Sequence, residues 1–315
     1  MNPSPSPRES FIDGSFTNNQ GSRQYKLFIP SRYQGEPLPL LVMLHGCLQD
    51  PDDFALGTRM NALAEEQGLF VLYPAQSESA NQTRCWNWFI AAHQRRDQGE
   101  PSIIADMTRE VIRSYNIDAR SVYIAGMSAG GAMAAIMAAT YSDLYAAVGI
   151  HSGMPFGAAQ NFFAAIASMK DGAGIGARLP AKSIPLIVIH GDRDSTVNSR
   201  NADQIIAQWL GGAALQHQKS SIAEAKEGNG RAFTRTIYHD AAGHTLAENW
   251  LVHQAGHAWS GGGAAGSFTD AAGPDASREM LRFFLNVSAD AAGEQGGLLK
   301  RIKNRLRGLG QAGAG

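Results

Sequence analysis

The feature that most restricts how this chain can fold is an alternation of short apolar runs with helical patterns, from about residue 38 to residue 286. Several of the runs have apolar residues at adjacent positions, as strands buried on both faces do. The apolar runs are Tyr25–Pro30, Leu38–Gly46, Leu69–Pro74, Ser121–Gly126, Tyr145–Ile150, Pro185–Gly191 and Asn249–Gln254, and the helical patterns are Gly57–Gln67, Ile103–Tyr115, Ala129–Tyr141, Asn198–Leu210 and Asp275–Leu285. This alternation predicts one α/β domain with a mostly parallel central sheet flanked by helices.

Composition sets the limits of that domain. Residues 1–22 are polar and predict a loose lead-in, the domain takes residues 23–287, and residues 288–315 form a Gly-rich basic tail. In the tail, Leu298–Leu309 carries five basic residues and no acid, with its apolar residues on one helical face. This pattern is typical of contact with a membrane surface or an acidic partner, although a docked helix or a frayed end is the simpler interpretation.

Within the domain, the long Ala- and Gly-rich segment of residues 152–183 predicts either a cap over a site or additional surface helices.

The charge and the cysteine content exclude several classes of protein. The chain has 27 Lys and Arg against 28 Asp and Glu, so no global field attracts nucleic acid. Its two cysteines exclude a disulfide-dense scaffold and a four-cysteine zinc site. No apolar run approaches the ~20 residues of a membrane span, and the N-terminus does not read as a secretory signal peptide. We expect neither a nucleic-acid partner nor a metal or other cofactor.

Residues 126–130, Gly-Met-Ser-Ala-Gly, match the G-x-S-x-G pattern of a nucleophile elbow. An apolar run precedes the motif and a run of small helical residues follows it, which is the strand–turn–helix context that an elbow needs. The turn is tight, and Gly126, Gly130 and Gly131 keep its flanks small. Ser128 is the predicted nucleophile, at a helix N-terminus that favours a developing negative charge. The alternative is an idle serine in a packing turn.

A serine nucleophile needs a base and an orienting acid, and hydrolases with this elbow present them in the chain order serine, acid, histidine. Asp194 in HGDRDSTV is favoured as the acid, with Asp192 as the alternative. The histidines that follow in the chain are at positions 217, 239, 244, 253 and 257. His257 is favoured as the base because it follows the strand-like WLVHQ on a small-residue turn, and His244 is the second candidate. His253 lies inside the strand pattern, where packing is the simpler role.

The oxyanion of a tetrahedral intermediate needs two N–H donors. We expect one from the backbone of Ala129, after the nucleophile, and the other from Cys47 in the HGC turn after an early strand. Cys47 and Cys85 both follow strand-like runs, so their loops could be neighbours at one edge of the sheet. They are either a disulfide that braces the oxyanion loop, which would indicate an oxidising compartment, or two buried free thiols.

Tryptophans accompany these turns. Trp86 and Trp88 follow Cys85, and Trp259 follows the favoured histidine. Exposed aromatic rings beside a catalytic turn can stack on or cover an acyl group. The three rings are therefore predicted substrate-binding residues, with ordinary packing as the alternative.

Several segments together resemble the poly(3-hydroxybutyrate) depolymerase family of esterases, within the α/β-hydrolases. They are HGCLQDPDDFALGTRMNALAEEQGLFVLYP, CWNWF, AGMSAGGAMAA, HSGMPFG, HGDRDSTV and GHAWSGG. The family includes feruloyl-esterase-like and acetylxylan-esterase-like relatives, and the resemblance covers roughly residues 24–287. It implies an α/β-hydrolase fold, a triad of Ser128, Asp194 and His257, a backbone donor near Cys47 and an aromatic-rimmed acyl pocket around Trp86. Secreted members carry a disulfide at the cysteine after HG, which agrees with the Cys47 pairing considered above.

The expected function is that of a metal-free serine carboxylesterase. Its expected substrates are short acyl esters, 3-hydroxyacyl oligomers or polyesters, and phenolic esters, with a feruloyl- or acetylxylan-type esterase as the nearest alternative. A peptidase on the same fold, a binding protein on an inactive hydrolase scaffold and a membrane-surface partner acting through Leu298–Leu309 are further alternatives. The resemblance and the considered disulfide favour an extracellular or periplasmic location.

Overall fold

The computed structural model describes residues 10–174, 177, 179, 183–211, 218–224 and 230–287. In this part of the chain the strands are β1 (Ser10–Asn18), β2 (Gly21–Ile29), β3 (Leu38–Leu44), β4 (Phe70–Pro74), β5 (Ile117–Met127), β6 (Ala147–His151), β7 (Leu186–Gly191), β8 (Gln218–Glu224), β9 (Phe233–His239), β10 (Thr245–Val252), β11 (Trp259–Ser260) and β12 (Thr269–Asp270). The α-helices are α1 (Pro51–Thr58), α2 (Met60–Gln67), α3 (Gly99–Ser114), α4 (Ala129–Thr140), α5 (Phe162–Asp171), α6 (Arg200–Trp209) and α7 (276–287).

Strands β1 to β10 form one sheet in the order β1-β2-β4-β3-β5-β6-β7-β10-β9-β8. The central strands from β4 to β10 in that order pair in parallel, and the strands at both ends of the sheet pair antiparallel. The parallel connections require crossovers, which the helices provide. This topology confirms the predicted α/β-hydrolase fold with a mostly parallel sheet.

The central strands are apolar without interruption because both faces of the sheet are covered. In β3, Leu40, Val42 and Leu44 face a core that includes residues of α3, α4 and α6. Leu41 and Met43 face the opposite core, with residues of α1, α2 and α7. The carboxyl ends of these strands therefore emerge at one edge of a rigid two-sided layer, where polar loops can hold fixed positions.

Two parts of the fold differ from the expectation. Residues 10–22 are not a loose lead-in, because Ser10–Asn18 pairs along its whole length with β2. Its polar side chains belong to an edge strand, and Asn18 Nδ2 donates to Asp106 of α3 at 2.9 Å. The helical pattern expected from Gly57 to Gln67 covers the end of one short helix and the whole of a second: α1 starts at Pro51 with Asp50 as its cap, and Arg59, at φ 54°, separates it from α2.

Some expectations concern residues that the structure does not describe. Residues 288–315, with the Leu298–Leu309 segment, lie outside the described residues, as do residues 1–9 and His217. The described part of residues 152–183 contains α5, a surface helix beside the candidate site. No described helix has both the length and the apolar character to cross a membrane.

Candidate active site

Ser128 lies between the last residue of β5 and the first residue of α4, with φ 56° and ψ −119°. A serine rarely adopts a positive φ, and such strain persists only where the surroundings enforce it. The backbone of β3 packs tightly against the turn, since a Cβ on Gly130 would lie 2.0 Å from the carbonyl oxygen of Leu44. A hydrogen bond also fixes the backbone of Ser128, because its N–H donates to the carbonyl of His151 at 2.9 Å. The motif is therefore a strained strand–turn–helix elbow.

Asp194 and His257 are brought together from two different loops. Asp194 follows β7, His257 follows β10, and their Oδ2 and Nδ1 atoms are 2.7 Å apart. The other oxygen of Asp194 accepts from the backbone N–H groups of Thr196 and Val197, at 2.9 and 2.8 Å. A carboxylate on Nδ1 keeps the proton on that nitrogen, so Nε2 of His257 is left as the basic atom.

The environment of Asp194 keeps its carboxyl group ionised. Burial by itself raises the pKa of Asp194, but the hydrogen bond and charge of His257 and the N–H of Val197 outweigh it and hold this pKa below its usual value. The side chain of Asp194 is completely buried, whereas His257 keeps an exposed edge. The pair therefore combines a fixed anion with an accessible imidazole.

The alternative acid and base candidates form pairs of their own. Asp192 Oδ2 lies 3.0 Å from His253 Nδ1, and His253 Nε2 lies 2.9 Å from Thr234 Oγ1. His244 lies 3.0 Å from Asp240, at the start of β10, the opposite end of that strand from His257. Neither pair lines the cavity that contains Ser128.

Ser128 and His257 line a common cavity of about 190 Å³. Its other lining residues are Gly46, Cys47, Leu48, Gln49, Met127, Met169, Thr196 and Phe268. Among the described residues, nothing accepts a hydrogen bond from the backbone N–H of Cys47 or of Ala129. Within the described part of the chain, both N–H groups of the expected oxyanion site are therefore unengaged, and Ala129 opens α4, where the helix dipole is positive.

The loop that carries Cys47 is braced by a disulfide and by a buried histidine. Cys47 is bonded to Cys85, which confirms the pairing that was one of the two alternatives. His45 Nδ1 donates to the carbonyl of Gly46 at 2.7 Å, and its Nε2 accepts from the N–H of Gln76 at 3.1 Å. Burial lowers the pKa of His45 to about 4, so the ring is neutral and can donate one hydrogen bond while it accepts the other.

The supporting residues His45 and Gln76 are not among the sequence candidates. His45 precedes the glycine of the HGC turn, and that position at the end of an apolar strand was the available signal. Gln76 gave no signal, because its role depends on the fold: its side-chain amide donates to the carbonyl of Cys85 at 2.9 Å and so ties the two loops together. His151 was missed in the same way, although the HSG sequence contains it.

The three tryptophans do not form an exposed platform, and that expectation is wrong. Trp86, Trp88 and Trp259 are buried, and none of them lines the cavity. Trp86 packs beside the ring of His45, with centroids 5.7 Å apart. Trp259 stacks on His151 at 4.9 Å, and its indole N–H donates to Ser277 at 3.0 Å. Large flat rings are used here to fill space beneath the site loops.

The apolar walls of the cavity come from aliphatic and phenyl side chains. They are Leu48, Met127, Met169 and Phe268. Within the described residues, no group of three or more His, Cys, Asp or Glu side chains is placed to hold a metal ion. The arrangement offers a serine hydroxyl on a strained backbone turn, an imidazole that is paired with an ionised carboxylate, and two N–H donors. Acyl transfer through a serine requires these groups.

The chain has relatives among known esterases. It is 29% identical over 258 residues to "Poly(3-hydroxyalkanoate) depolymerase C" of Paucimonas lemoignei, covering 77% of this chain and 60% of that protein. It is 24% identical to "Acetylxylan esterase A" of Talaromyces purpureogenus, covering 82% of this chain and 73% of that protein. The chain thus spans less than two thirds of the length of the depolymerase.

A solved structure, "Acetyl xylan esterase from Aspergillus awamori", has the same fold, with a TM-score of 0.64 at 20% sequence identity. The superposition covers 78% of this chain and 94% of that one. The family described as "Esterase PHB depolymerase" matches residues 23–227, well over half of the chain. The chain belongs to the esterase PHB depolymerase family.

Proposed function

We propose that this protein is a serine carboxylesterase that hydrolyses its substrates through an acyl-enzyme on Ser128. The observation that carries the proposal is the 2.7 Å pairing of Asp194 with His257, a residue that lines the same cavity as the strained Ser128. The esterase names of the family and of its relatives support the reaction class.

The reaction proceeds in two steps. Ser128 Oγ attacks the ester carbonyl while His257 Nε2 takes the hydroxyl proton, and Asp194 stabilises the imidazolium that forms. The N–H groups of Cys47 and Ala129 bind the oxyanion of the tetrahedral intermediate. His257 then protonates the departing alkoxide, and the alcohol leaves. A water molecule, deprotonated by the same nitrogen, attacks the acyl-enzyme, and His257 returns that proton to Ser128 Oγ as the acid leaves.

The cavity supports a short acyl group as the enclosed part of the substrate. Its volume of about 190 Å³ is below the roughly 300–1,000 Å³ of pockets that enclose a drug-sized ligand. The walls made by Leu48, Met127 and Phe268 are apolar. We propose short aliphatic acyl or 3-hydroxyacyl esters, including oligomers, as substrates, and phenolic or acetylxylan-type esters as the second class.

The first experiment compares product release from a soluble 3-hydroxybutyrate oligomer and from methyl ferulate, with Ser128→Ala as the blank. We expect release of 3-hydroxybutyrate that Ser128→Ala lowers by at least about 10⁴-fold. Preferential release of ferulate would transfer the assignment to the phenolic class. Turnover that survives in Ser128→Ala would refute the proposed nucleophile, and the absence of both products above the blank would favour a binding protein on this scaffold.

Two further assignments belong to this proposal. The Cys47–Cys85 disulfide favours an extracellular or periplasmic location, because disulfides persist in oxidising compartments. The paired hairpin of β1 and β2 is continuous with the sheet. We therefore place the start of the catalytic domain at residue 10 rather than at 23 and retain residue 287 as its end.

A further inference from the structure

The backbone N–H groups around Cys47 are engaged in a pattern that leaves one of them for a substrate. The N–H of Gly46 donates to the side-chain oxygen of Gln49 at 3.0 Å. The N–H of Leu48 donates to a carbonyl of the neighbouring loop at 2.7 Å, and that of Gln49 donates to the carbonyl of Gly46 at 3.4 Å. Among the described residues, the N–H of Cys47 is therefore the one in this turn that has no acceptor.

The carbonyl of Gly46 fixes the direction of that free N–H. It accepts from His45 Nδ1 at 2.7 Å and from the backbone N–H of Gln49. In a planar trans peptide, the carbonyl of one residue and the N–H of the next point in opposite directions. Hydrogen bonds to the carbonyl of Gly46 therefore also set where the N–H of Cys47 points.

The side chain of Gln49 completes the support of this turn. Gln49 is 2% exposed and lines the cavity together with Ser128. A Cβ on Gly46 would lie 3.1 Å from the amide oxygen of Gln49 and 3.5 Å from the Cβ of Ser128. The amide oxygen of Gln49 thus packs against the turn beside the nucleophile.

Asp53, in the first turn of α1, fixes the orientation of the Gln49 amide. Gln49 Nε2 donates to Asp53 Oδ2 at 2.9 Å. A carboxylate only accepts hydrogen bonds, and the N–H of Gly46 only donates. The amide of Gln49 therefore has one orientation that satisfies both neighbours, because turning it over would place donor against donor and acceptor against acceptor.

The same carboxylate holds the loop that carries Phe268. Asp53 Oδ1 accepts from the N–H of Ser267 at 2.8 Å, and Asp53 Oδ2 accepts from Ser267 Oγ at 2.6 Å. Gln49 Nε2 also lies 3.2 Å from the carbonyl of Ser267. The next residue, Phe268, lines the cavity with its backbone at φ 51°. Asp53 thus links the turn around Cys47 to a second wall of the cavity.

We infer that Asp53 and Gln49 are positioning residues of the oxyanion site, and that Asp53 acts through the Gln49 amide on the peptide that presents the Cys47 N–H. This inference rests on the proposed function. Asp53 does not line the cavity, and both polar atoms of the Gln49 amide are engaged within the protein. Because the oxyanion exists only during the reaction, a displaced donor slows turnover more than it weakens substrate binding.

The first test replaces the carboxylate by an amide. Asp53→Asn leaves one acceptor oxygen for the three groups that donate to Asp53, and its NH₂ group meets other donors. We expect kcat on soluble methyl 3-hydroxybutyrate to fall about tenfold, with KM changed less than about twofold. Asp52→Asn is the matched control, since Asp52 is the adjacent residue of α1 and pairs with Lys26 at 2.8 Å. It should retain the kcat of the unsubstituted protein.

A double variant separates positioning from a general loss of stability. Gln49→Glu alone places two carboxylates in contact, and we expect it to lower kcat about 100-fold. In Gln49→Glu/Asp53→Asn the new carboxylate accepts from the N–H of Gly46 and from the new amide, so donors and acceptors match again. We expect the double variant to be about tenfold faster than Gln49→Glu, whereas independent losses would make it about tenfold slower.

A transition-state analogue gives a readout that loss of stability does not move. Butylboronic acid forms a tetrahedral anion on Ser128, with an oxygen in the place of the oxyanion. We expect its inhibition constant to rise in Asp53→Asn by about the factor by which kcat/KM falls. Rates are taken per folded molecule, and Asp53→Asn decides the question by itself if Gln49→Glu does not fold.

Equal kcat values in Asp53→Asn and Asp52→Asn would overturn the inference. So would a loss confined to KM, an unchanged inhibition constant for the boronic acid, or a double variant slower than Gln49→Glu. Turnover that survives in Ser128→Ala, or no turnover by the unsubstituted protein, would instead refute the proposed function. The two failures are therefore distinguishable, because the first requires turnover that depends on Ser128.

Discussion

Ser128 keeps its strained conformation because the backbone of β3 lies directly against the elbow. At Gly126 a Cβ would lie 2.4 Å from the backbone of Gly130, and at Gly130 it would lie 2.0 and 2.5 Å from the carbonyl oxygens of Leu44 and His45. The contacting atoms are backbone, so they cannot move aside by changing a rotamer. The same close approach puts the HGC turn next to the nucleophile, which ties the strain of the elbow to the position of the oxyanion loop.

Substitution at Gly130 tests this packing. We expect Gly130→Ala to lower the free energy of unfolding by about 3 kcal/mol, because the added methyl group has no room beside the β3 carbonyls. The measurement is urea denaturation followed by fluorescence. Gly256→Ala is the control, since nothing lies within 4 Å of a Cβ at that position. Equal midpoints for the two variants would show that the elbow can open at little cost.

The two aspartates of the acid loop should differ sharply in kinetics. We expect Asp194→Asn to lower kcat about 10⁴-fold, because an amide favours the wrong tautomer of the imidazole. Asp192→Asn should lower kcat less than tenfold, since Asp192 pairs with His253 and not with His257. Steady-state rates on one soluble ester measure both. A larger loss in Asp192→Asn than in Asp194→Asn would reverse the assignment of the acid.

At the scale of elements, the acid loop and the histidine loop are tied together by more than the candidate pair. The N–H groups of Asp192 and Arg193 donate to the carbonyls of Val252 and Ala255, both at 3.0 Å. Asp192 also accepts from the N–H of Gln254 at 2.6 Å. Asp192–His253 and Asp194–His257 are therefore two successive links between the loops that follow β7 and β10. We expect the outer link, Asp192–His253, to help position the inner Asp194–His257 pair.

The outer link predicts a positioning role for His253. We expect His253→Gln to lower kcat three- to tenfold with little change in KM, because the cavity walls are untouched while the imidazole of His257 loses its alignment. His244→Gln is the matched control: it removes a histidine that also pairs with an aspartate at 3.0 Å, but at the other end of β10. A loss of similar size in both variants, or a change confined to KM, would contradict the positioning role.

The order of elements and the position of each candidate could be predicted because local patterns carry them. Apolar runs identify the central strands, and the G-x-S-x-G motif marks the end of β5. The burial of Trp86 and Trp259 could not be predicted, because these rings pack against His45 and His151, which lie in distant segments of the chain. The edge strand β1 was missed for a related reason: an edge strand that is solvated on one side has little apolar pattern.

At the scale of the whole molecule, buried histidines lie beneath the loops of the site. His45 follows β3, His151 ends β6, and His190 lies near the end of β7. All three are buried. Each accepts or donates hydrogen bonds as a neutral ring: His151, for example, accepts from the N–H of Ser260 at 3.1 Å and contacts Ser152 Oγ at 3.1 Å. The layer that supports the site therefore contains three neutral imidazole rings that protonation at low pH would charge.

These rings predict how stability depends on pH. Burial lowers the pKa of His45 to about 4, that of His151 to about 3, and that of His190 below its usual value. In the unfolded chain a histidine titrates near pH 6.5. Below that pH the unfolded state takes up protons that the folded state does not, so stability falls as pH falls. Each histidine contributes a slope of about 1.4 kcal/mol per pH unit until its folded pKa is reached.

We therefore expect the free energy of unfolding to fall steeply between pH 6.5 and about pH 5, above the range in which the carboxylates take part. Asp194, whose folded pKa is lowered, loses its stabilising effect only as pH falls below the unfolded value of about 3.9. Urea denaturation at four pH values between 7.5 and 4.5 gives the slope. His45→Gln, whose amide can still donate and accept, should reduce the slope by about 1.4 kcal/mol per pH unit. An unchanged slope in His45→Gln would mean that the folded protein admits the proton, and that the HGC turn tolerates a charged ring.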